Sequence, residues 1–336
     1  MSIAKDPIIE IPNLNMTSRT KKQRFRDVAA FLPRISVQLI AARPIPRELL
    51  NALYLRLTPS QRSLFSLGFS KIFRNNRTIS GRSGIWTVEF AGRTIRMPLN
   101  SERFWLDWDL AVSLVGHDLE VVETYSNLIK SPKPPTIFLD VGANYGTHSL
   151  LFLVHNIETL SFEPNTSCRG YFHDLCALNN VTPRLCNVAL GKDSGYINLS
   201  YPPKDTWLGS TDAETIVTIG RSDELKTERV KQRPLDDYVA ELRGKRILLK
   251  IDTEGSEYDV LQGASTILSE LRPLIIFESW RSPQRARVFE FFLENHYRIV
   301  KLPWNPAIPT ESLAPIEFMT TVTTNFAALP IEHVWG

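Results

Sequence analysis

Cysteine is scarce in this chain: 336 residues carry three, Cys168, Cys176 and Cys186. None forms a CxxC pair and the odd number leaves one unmatched, so a disulfide framework is excluded and free thiols of a reducing compartment are expected. Histidine is nearly as sparse. His117, His148, His155, His173, His296 and His333 show no HxxxH or HxH spacing, which argues against zinc. No apolar run approaches the roughly 18 residues of a spanning helix. The opening MSIAKDPIIEIPNLN places Asp6, Pro7 and Glu10 where a signal peptide needs apolar residues. A cytoplasmic protein without a membrane span is the expectation. Excess charge is small too: 39 Lys+Arg against 36 Asp+Glu leave +3, too near balance to make nucleic acid or an anionic membrane an obligatory partner.

What is present is a globular composition, 43% hydrophobic and 22% charged, on a length suited to one large core with an extension. Residues 1–30 read as a polar arm ending in Arg19, Lys21, Lys22, Arg24 and Arg26. Residues 31–133 read as a helical and β-hairpin cap region. Thr58-Pro59 is an N-cap and N1 pair opening a helix, and Ala91-Gly92 divides two β-rich runs over 85–99 as a hairpin turn does. A further helix is expected over 103–130, closed by the Pro-rich stretch 131–135, which marks the domain boundary. From 134 to 336 short apolar runs alternate with helical segments: TIFLDV, ETLSFE, RLCNVAL, RILLKID, PLIIFES and RIVKL. That alternation predicts a parallel sheet with helices on both faces, interrupted by an insertion at about 196–235 with strands of its own.

Two constellations carry chemistry. In TIFLDVGANYGTHSLLFLV, Asp140 ends a strand and Gly142, Asn144 and Gly146 lie in the turn that opens a helix. Such a turn lets backbone approach a ligand and offers helix N-terminal N–H groups. Glu163 follows 21 residues after Gly142, near the spacing at which an acid accepts hydrogen bonds from ribose hydroxyls. Together they indicate an adenosine-type cofactor, dinucleotide or S-adenosylmethionine. The order G-x-N-x-G lacks the spacing that suits a pyrophosphate, which favours the sulfonium. The second constellation, RILLKIDTEGSEYDVLQGA, delivers Asp252, Glu254 and Glu257 at a strand's carboxyl end, where the ligands of open α/β sheets sit. Glu254 and Glu257 are equally read as acids at a helix N-terminus.

The ordered set DVGANYGTHSL, ETLSFEP, KIDTEGSEYDVLQGA and PLIIFES resembles the FkbM-type S-adenosylmethionine-dependent methyltransferases of class I. The resemblance runs over about 116–302, and GHDLE at 116–120 is similar to that family's upstream acidic segment. It implies a Rossmann-like, seven-stranded, mostly parallel sheet and methyl transfer to a hydroxyl oxygen, with sugars or hydroxylated natural products as acceptors. It also implies that Asp140, Gly142, Asn144 and Gly146 line the methionine end of S-adenosylmethionine, that Glu163 holds its ribose, and that Asn187 and Val188 contact adenine. Residues 1–110 have no counterpart in it.

An aliphatic hydroxyl is barely ionised at neutral pH, so a proton acceptor is needed. Asp252 is the first candidate, Glu254 the second and His148, beside the glycine turn, the third. Glu278, at the end of PLIIFES, and Trp207 and Trp280 are candidates to orient the acceptor. The carboxylates also offer hard oxygens to Mg²⁺, although no metal is expected. Two other readings stay open: a cofactor-binding module without turnover, and a nicotinamide-dependent oxidoreductase resting on the turn and the ribose acid alone.

Overall fold

The computed structural model describes residues 40, 43–73, 82–203, 209–220, 224–282 and 284–332. The arm of residues 1–30 and Trp207 lie outside the described residues. The chain divides into two compact units, Met1–Leu119 and Glu120–Gly336.

In the first unit Thr58 caps the helix Pro59–Phe73 as expected. Its hydroxyl accepts from the Gln61 amide at 3.3 Å and Gln61 Oε1 accepts from the Thr58 amide at 2.9 Å, a reciprocal capping box. The hairpin forms from β1 (Gly84–Phe90) and β2 (Arg93–Leu99). Its turn has positive φ at both Ala91 and Gly92, 46° and 85°, as a two-residue turn matched to strand twist requires. Alternation puts Trp86, Val88, Phe90, Ile95, Met97 and Leu99 inside. Trp86 packs 5.1 Å from Tyr54 and 4.8 Å from Trp108, centroid to centroid. The helix Pro44–Leu55 meets this core in an unusual sense: the buried side includes Arg47 and Asn51 with Tyr54. Asn51 pairs with strand β1 through both ends of its amide, donating to the Thr87 carbonyl and accepting from the Thr87 N–H, each at 2.8 Å. Arg47 donates to the carbonyl of Arg82 at 2.6 Å.

The single helix expected over 103–130 is two, Phe104–Ser113 and Leu119–Ile129. The break falls at Gly116, where a Cβ would lie 2.5 Å from the Val112 carbonyl oxygen, and at Asp118, whose φ is 43°. At that φ Asp118 does not continue a right-handed helix, and Gly116 stands where a larger residue would clash.

The second unit holds the predicted sheet. Its strands are β3 (Ile137–Val141), β4 (Glu158–Phe162), β5 (Leu185–Cys186), β9 (Ile247–Ile251), β10 (Leu274–Glu278), β11 (Tyr297–Lys301) and β12 (Asn325–Pro330). They lie in the order β11-β12-β10-β9-β3-β4-β5. Only β12 runs against its neighbours, paired antiparallel to both β10 and β11. All residues of β3, β9 and β12 are buried, as expected of strands covered on both faces. The run RLCNVAL does not form one strand. Leu185–Cys186 joins the main sheet, while β6 (Ala189–Leu190) pairs with β8 (Lys226–Arg233). With β7 (Gly195–Tyr201) these make a three-stranded sheet in the order β6-β8-β7, the strands expected of the insertion. The Pro-rich stretch 131–135 falls inside the second unit, where Arg246 Nε donates to the Pro134 carbonyl at 2.9 Å.

Replacing Asn51 by Ala leaves the Thr87 amide and carbonyl without their partner inside the hairpin–helix contact. We expect a loss of about 1–3 kcal/mol in urea unfolding, with the unfolding slope unchanged.

Candidate active site

Parallel strands deliver their carboxyl ends to one edge of the sheet, and β10, β9, β3 and β4 are consecutive neighbours there. A cavity of about 190 Å³ opens at that edge, lined by residues that include Gly142, Asn144, His148, Glu163, Val188, Asp252 and Glu254. Segments far apart in sequence therefore meet because the register sets them side by side: Val141 lies opposite Phe162 on one side and Ile251 on the other.

Gly142 adopts φ 80°, and a Cβ there would sit 1.8 Å from the Asp252 carbonyl oxygen. The glycine thus lets the ends of β3 and β9 touch, in addition to lining the cavity. Gly146, at φ 77°, answers to packing: its Cβ would strike the Phe172 ring at 2.2 Å, and it does not line the cavity. Asp140 also stands behind the cavity wall. It is fully buried and accepts from Ser149 Oγ at 2.6 Å, which in turn meets Ser161 Oγ at 2.8 Å.

Glu163 is clamped by main chain. Its Oε2 accepts from the Asn144 amide at 2.8 Å and its Oε1 from the Asn165 amide at 2.7 Å. Burial pushes its pKa up to about 7 against the pull of these two N–H groups. Each oxygen keeps a second lone pair for a hydroxyl in the cavity. Asn187 does not line the cavity; its side chain donates to the Glu163 carbonyl at 3.2 Å, and so steadies the acid from behind. Val188 is on the wall.

At the end of β9 lies a charge arrangement that sequence reasoning missed. Lys250, 7% exposed, donates from Nζ to Asp252 Oδ2 at 2.9 Å, while the Asp252 side chain keeps 34% of its surface open. Burial works against the Lys250 ammonium, but Asp252 and Asp140 outweigh it and hold the pKa above the ordinary lysine value. Burial likewise opposes the Asp252 charge; Lys250, with His148 and a hydrogen bond from Glu278, overcomes this and holds the carboxyl below its usual range. Around this pair the other carboxyls are pushed the opposite way. Burial, then Asp252, raise Glu254 to about 8 and Glu278 to about 9. Oxygens of Asp252, Glu254 and Glu278 all lie within 4.8 Å of one another, so like-charge repulsion favours keeping protons on two of the three. Such hard oxygens suit Mg²⁺ as well.

Glu257 has a structural task. Its Oε1 accepts from Thr253 N, Thr253 Oγ1 and Gly255 N at 2.9, 3.0 and 3.2 Å, which ties down the loop that carries Glu254 at φ 53°. His148 lines the cavity with Nδ1 3.1 Å from the hydroxyl of buried Tyr125. Trp280 is 57% exposed and donates from Nε1 to Glu278 Oε2 at 2.8 Å. The acidic segment before the glycine turn reaches the same edge: Glu120 Oε1 accepts from Asn325 Nδ2 at 3.0 Å, and Asn325 lies opposite Glu278. The insertion adds Thr211, whose hydroxyl meets that of Ser256 at 2.7 Å, both on the cavity wall. Lys250 had a signal in the sequence, a lone charge within the apolar run ILLKI that must find a buried partner.

These pKa values predict the sign of a pH effect. Glu163, Glu254 and Glu278 bind protons more tightly when folded, so their contribution is complete below about 4.5 and is lost as pH rises through about 7, 8 and 9. Thermal melting of the ligand-free, metal-free protein should fall across that range. Glu278→Gln should flatten the upper part of the decline; an unchanged slope in that variant would show that Glu278 does not titrate in that range.

Residues 140–299 match the family model described as Methyltransferase FkbM domain. The comparison with curated proteins finds no match. Among solved structures the chain is similar to methyltransferase FkbM from Methylobacillus flagellatus KT, at 13% identity and TM-score 0.37, over 67% of this chain and 54% of that one. This chain therefore spans about half the length of that relative. It is also similar to the ribosomal protein L11 methylase from Lactobacillus delbrueckii subsp. bulgaricus, at 13% identity and TM-score 0.35, over 65% of this chain and 81% of that one. A third likeness is to the SAM-dependent methyltransferase from Agrobacterium tumefaciens, at 12% identity and TM-score 0.36, over 75% and 72%. Over residues 140–299 the chain is thus similar to the FkbM methyltransferase family.

Proposed function

We propose that the chain is an S-adenosylmethionine-dependent O-methyltransferase acting on a hydroxyl of a sugar or other hydroxylated small molecule. The observation that carries this reading is the convergence on one cavity of the clamped acid Glu163 with the ionised and protonatable carboxyls Asp252 and Glu254. The cavity residues fit the cofactor: Glu163 presents two oriented oxygens suited to a vicinal diol, and the glycine turn brings backbone to the wall beside it. Gly142, Asn144, Glu163 and Val188 would hold it. When bound, S-adenosylmethionine supplies an electrophilic methyl group on a sulfonium.

The chain's own work is then to position a hydroxyl and remove its proton. Asp252, ionised at neutral pH through Lys250, accepts a hydrogen bond from the acceptor hydroxyl and orients it. Glu254, with a pKa of about 8, is matched to take the proton, because a base is most effective when its pKa lies near the working pH. Glu278, close to Asp252 and Glu254, and Trp280, bonded to it, would serve as acceptor contacts, and His148, held by Tyr125, would add a second donor or acceptor on the cavity wall.

Calorimetry with S-adenosylmethionine, S-adenosylhomocysteine and NADH tests the cofactor first. We expect the two sulfur compounds alone to bind, and Glu163→Ala to weaken them by about 10–100-fold, the worth of hydrogen bonds to a charged group. Tight NADH binding instead would return the oxidoreductase reading. With an acceptor found by labelled-methyl screening, Asp252→Asn should lower kcat at least about 100-fold with cofactor affinity preserved. The rate of the parent should rise with pH through about 8, and Glu254→Gln should lose that limb. Full activity in both variants would remove Asp252 and Glu254 from the mechanism, whereas cofactor binding with no methyl transfer to any acceptor would leave a binding module.

A further inference from the structure

The helix Pro44–Leu55 is amphipathic the wrong way round for a helix that packs on its own core. Its inward positions are Arg47, Asn51 and Tyr54, and the two polar ones are consumed in hydrogen bonds to the hairpin. Its outward positions are Ile45, Leu49 and Leu53, exposed to 72%, 63% and 59%. Spaced four apart, these three lie one above another on a single helical face. A scattered exposed leucine needs no explanation, but an aliphatic ridge opposite a polar inner face does.

Charge indicates the occupant. Residues 1–119 carry 18 Lys+Arg against 9 Asp+Glu, net +9, whereas residues 120–336 carry 21 against 27, net −6. The whole-chain value of +3 hides this division. Exposed Arg43 and Arg56 stand at the two ends of the ridge-bearing helix, and Glu48 is the exposed acid within it. The hairpin adds exposed Arg93 and Arg96 against Glu89, and exposed Arg82 stands just before it. Aliphatic side chains in a row on a basic unit are the pattern of a helix that lies in the interface of an anionic bilayer.

We infer that the apolar face of the helix Pro44–Leu55 docks on an anionic lipid surface, into which Ile45, Leu49 and Leu53 insert while the basic first unit holds the headgroups. A second copy fits less well, since pairing through this face would bring two units of net +9 together. Nucleic acid would use the positive charge but leaves the aliphatic ridge without a role. No helix among the described residues is long and apolar enough to cross a membrane, so this is attachment at the surface of a bilayer.

The test is flotation of the full-length protein with vesicles of phosphatidylcholine alone and of equal parts phosphatidylcholine and phosphatidylglycerol. At least about tenfold stronger binding to the anionic vesicles is expected, declining as salt shortens the screening length. The double variant Leu49→Ser, Leu53→Ser should lose about tenfold of that binding while its circular dichroism and melting temperature stay at the parental values. Three outcomes would overturn the inference: no preference for anionic vesicles, equal binding by the variant, or a parent that sediments as a dimer and a variant that sediments as a monomer. Tighter binding to duplex nucleic acid than to vesicles, unaltered in the variant, would overturn it as well. None of these readouts depends on the cofactor or the acceptor.

Discussion

The site depends on one ion pair. Lys250 sits on a strand whose residues are all buried, and an ammonium there is tolerable only against carboxylates. It has two of them, Asp252 in contact and Asp140 on the neighbouring strand β3. Because the lysine sits under Asp252, that carboxylate stays charged although its surroundings penalise charge. Burial, reinforced by the charge that Asp252 keeps, drives Glu254 and Glu278 toward their protonated forms. Burial and this one ion pair together sort three neighbouring acids into one that is ionised and two that titrate near the alkaline edge of neutrality. Without it all three would compete for the same protons and no single group would have an assigned role.

The same strand ends explain the glycine turn. A ligand-facing reason for Gly142 is the one its sequence context suggests, but the structure adds a tighter one, the 1.8 Å that a Cβ would leave to the Asp252 carbonyl. The turn after β3 and the loop after β9 are thus in direct contact. The two constellations that look separate along the chain form one surface, and a side chain at position 142 would push apart the glycine-turn and carboxylate sides of the cavity together. Glu163 joins them from the next strand by accepting the Asn144 amide.

Much of this was legible in the residues, for physical reasons. Strands buried on both faces read as continuous apolar runs, so β3, β4, β9, β10 and β11 stand out, and their carboxyl ends name Glu163, Asp252 and Glu278 directly. β12 did not stand out, because NFAALP carries a proline and two alanines and is held as a strand by the neighbours on both its sides. RLCNVAL reads as one strand because composition says nothing about where a chain leaves one sheet for another. The break at Gly116 and Asp118 was hidden by helical periodicity on both sides of it. The resemblance implies ligand contacts for Asp140 and Asn187; in the structure the Asp140 carboxylate accepts from Ser149 and the Asn187 side chain donates to the Glu163 carbonyl. The whole-chain charge averages a basic and an acidic unit.

That division of charge bears on the site itself. The second unit is net negative, and three acids meet at its sheet edge, an arrangement that taken at face value repels an anionic acceptor. The ion pair and the two raised carboxyls change this. With Lys250 positive, Asp252 negative and Glu254 and Glu278 mostly protonated at neutral pH, the cluster is close to neutral. Acceptor recognition is then a matter of hydrogen bonds from and to fixed groups, because an uncharged carboxyl donates through its O–H where an ionised one only accepts. As pH rises the cluster gains negative charge, so the change that supplies a proton acceptor also turns donors toward the acceptor into acceptors. Under the proposed O-methyl transfer, removal of the proton and retention of the acceptor's hydrogen bonds would consequently pull in opposite directions, and a working pH close to the pKa of Glu254 is where the two demands would balance.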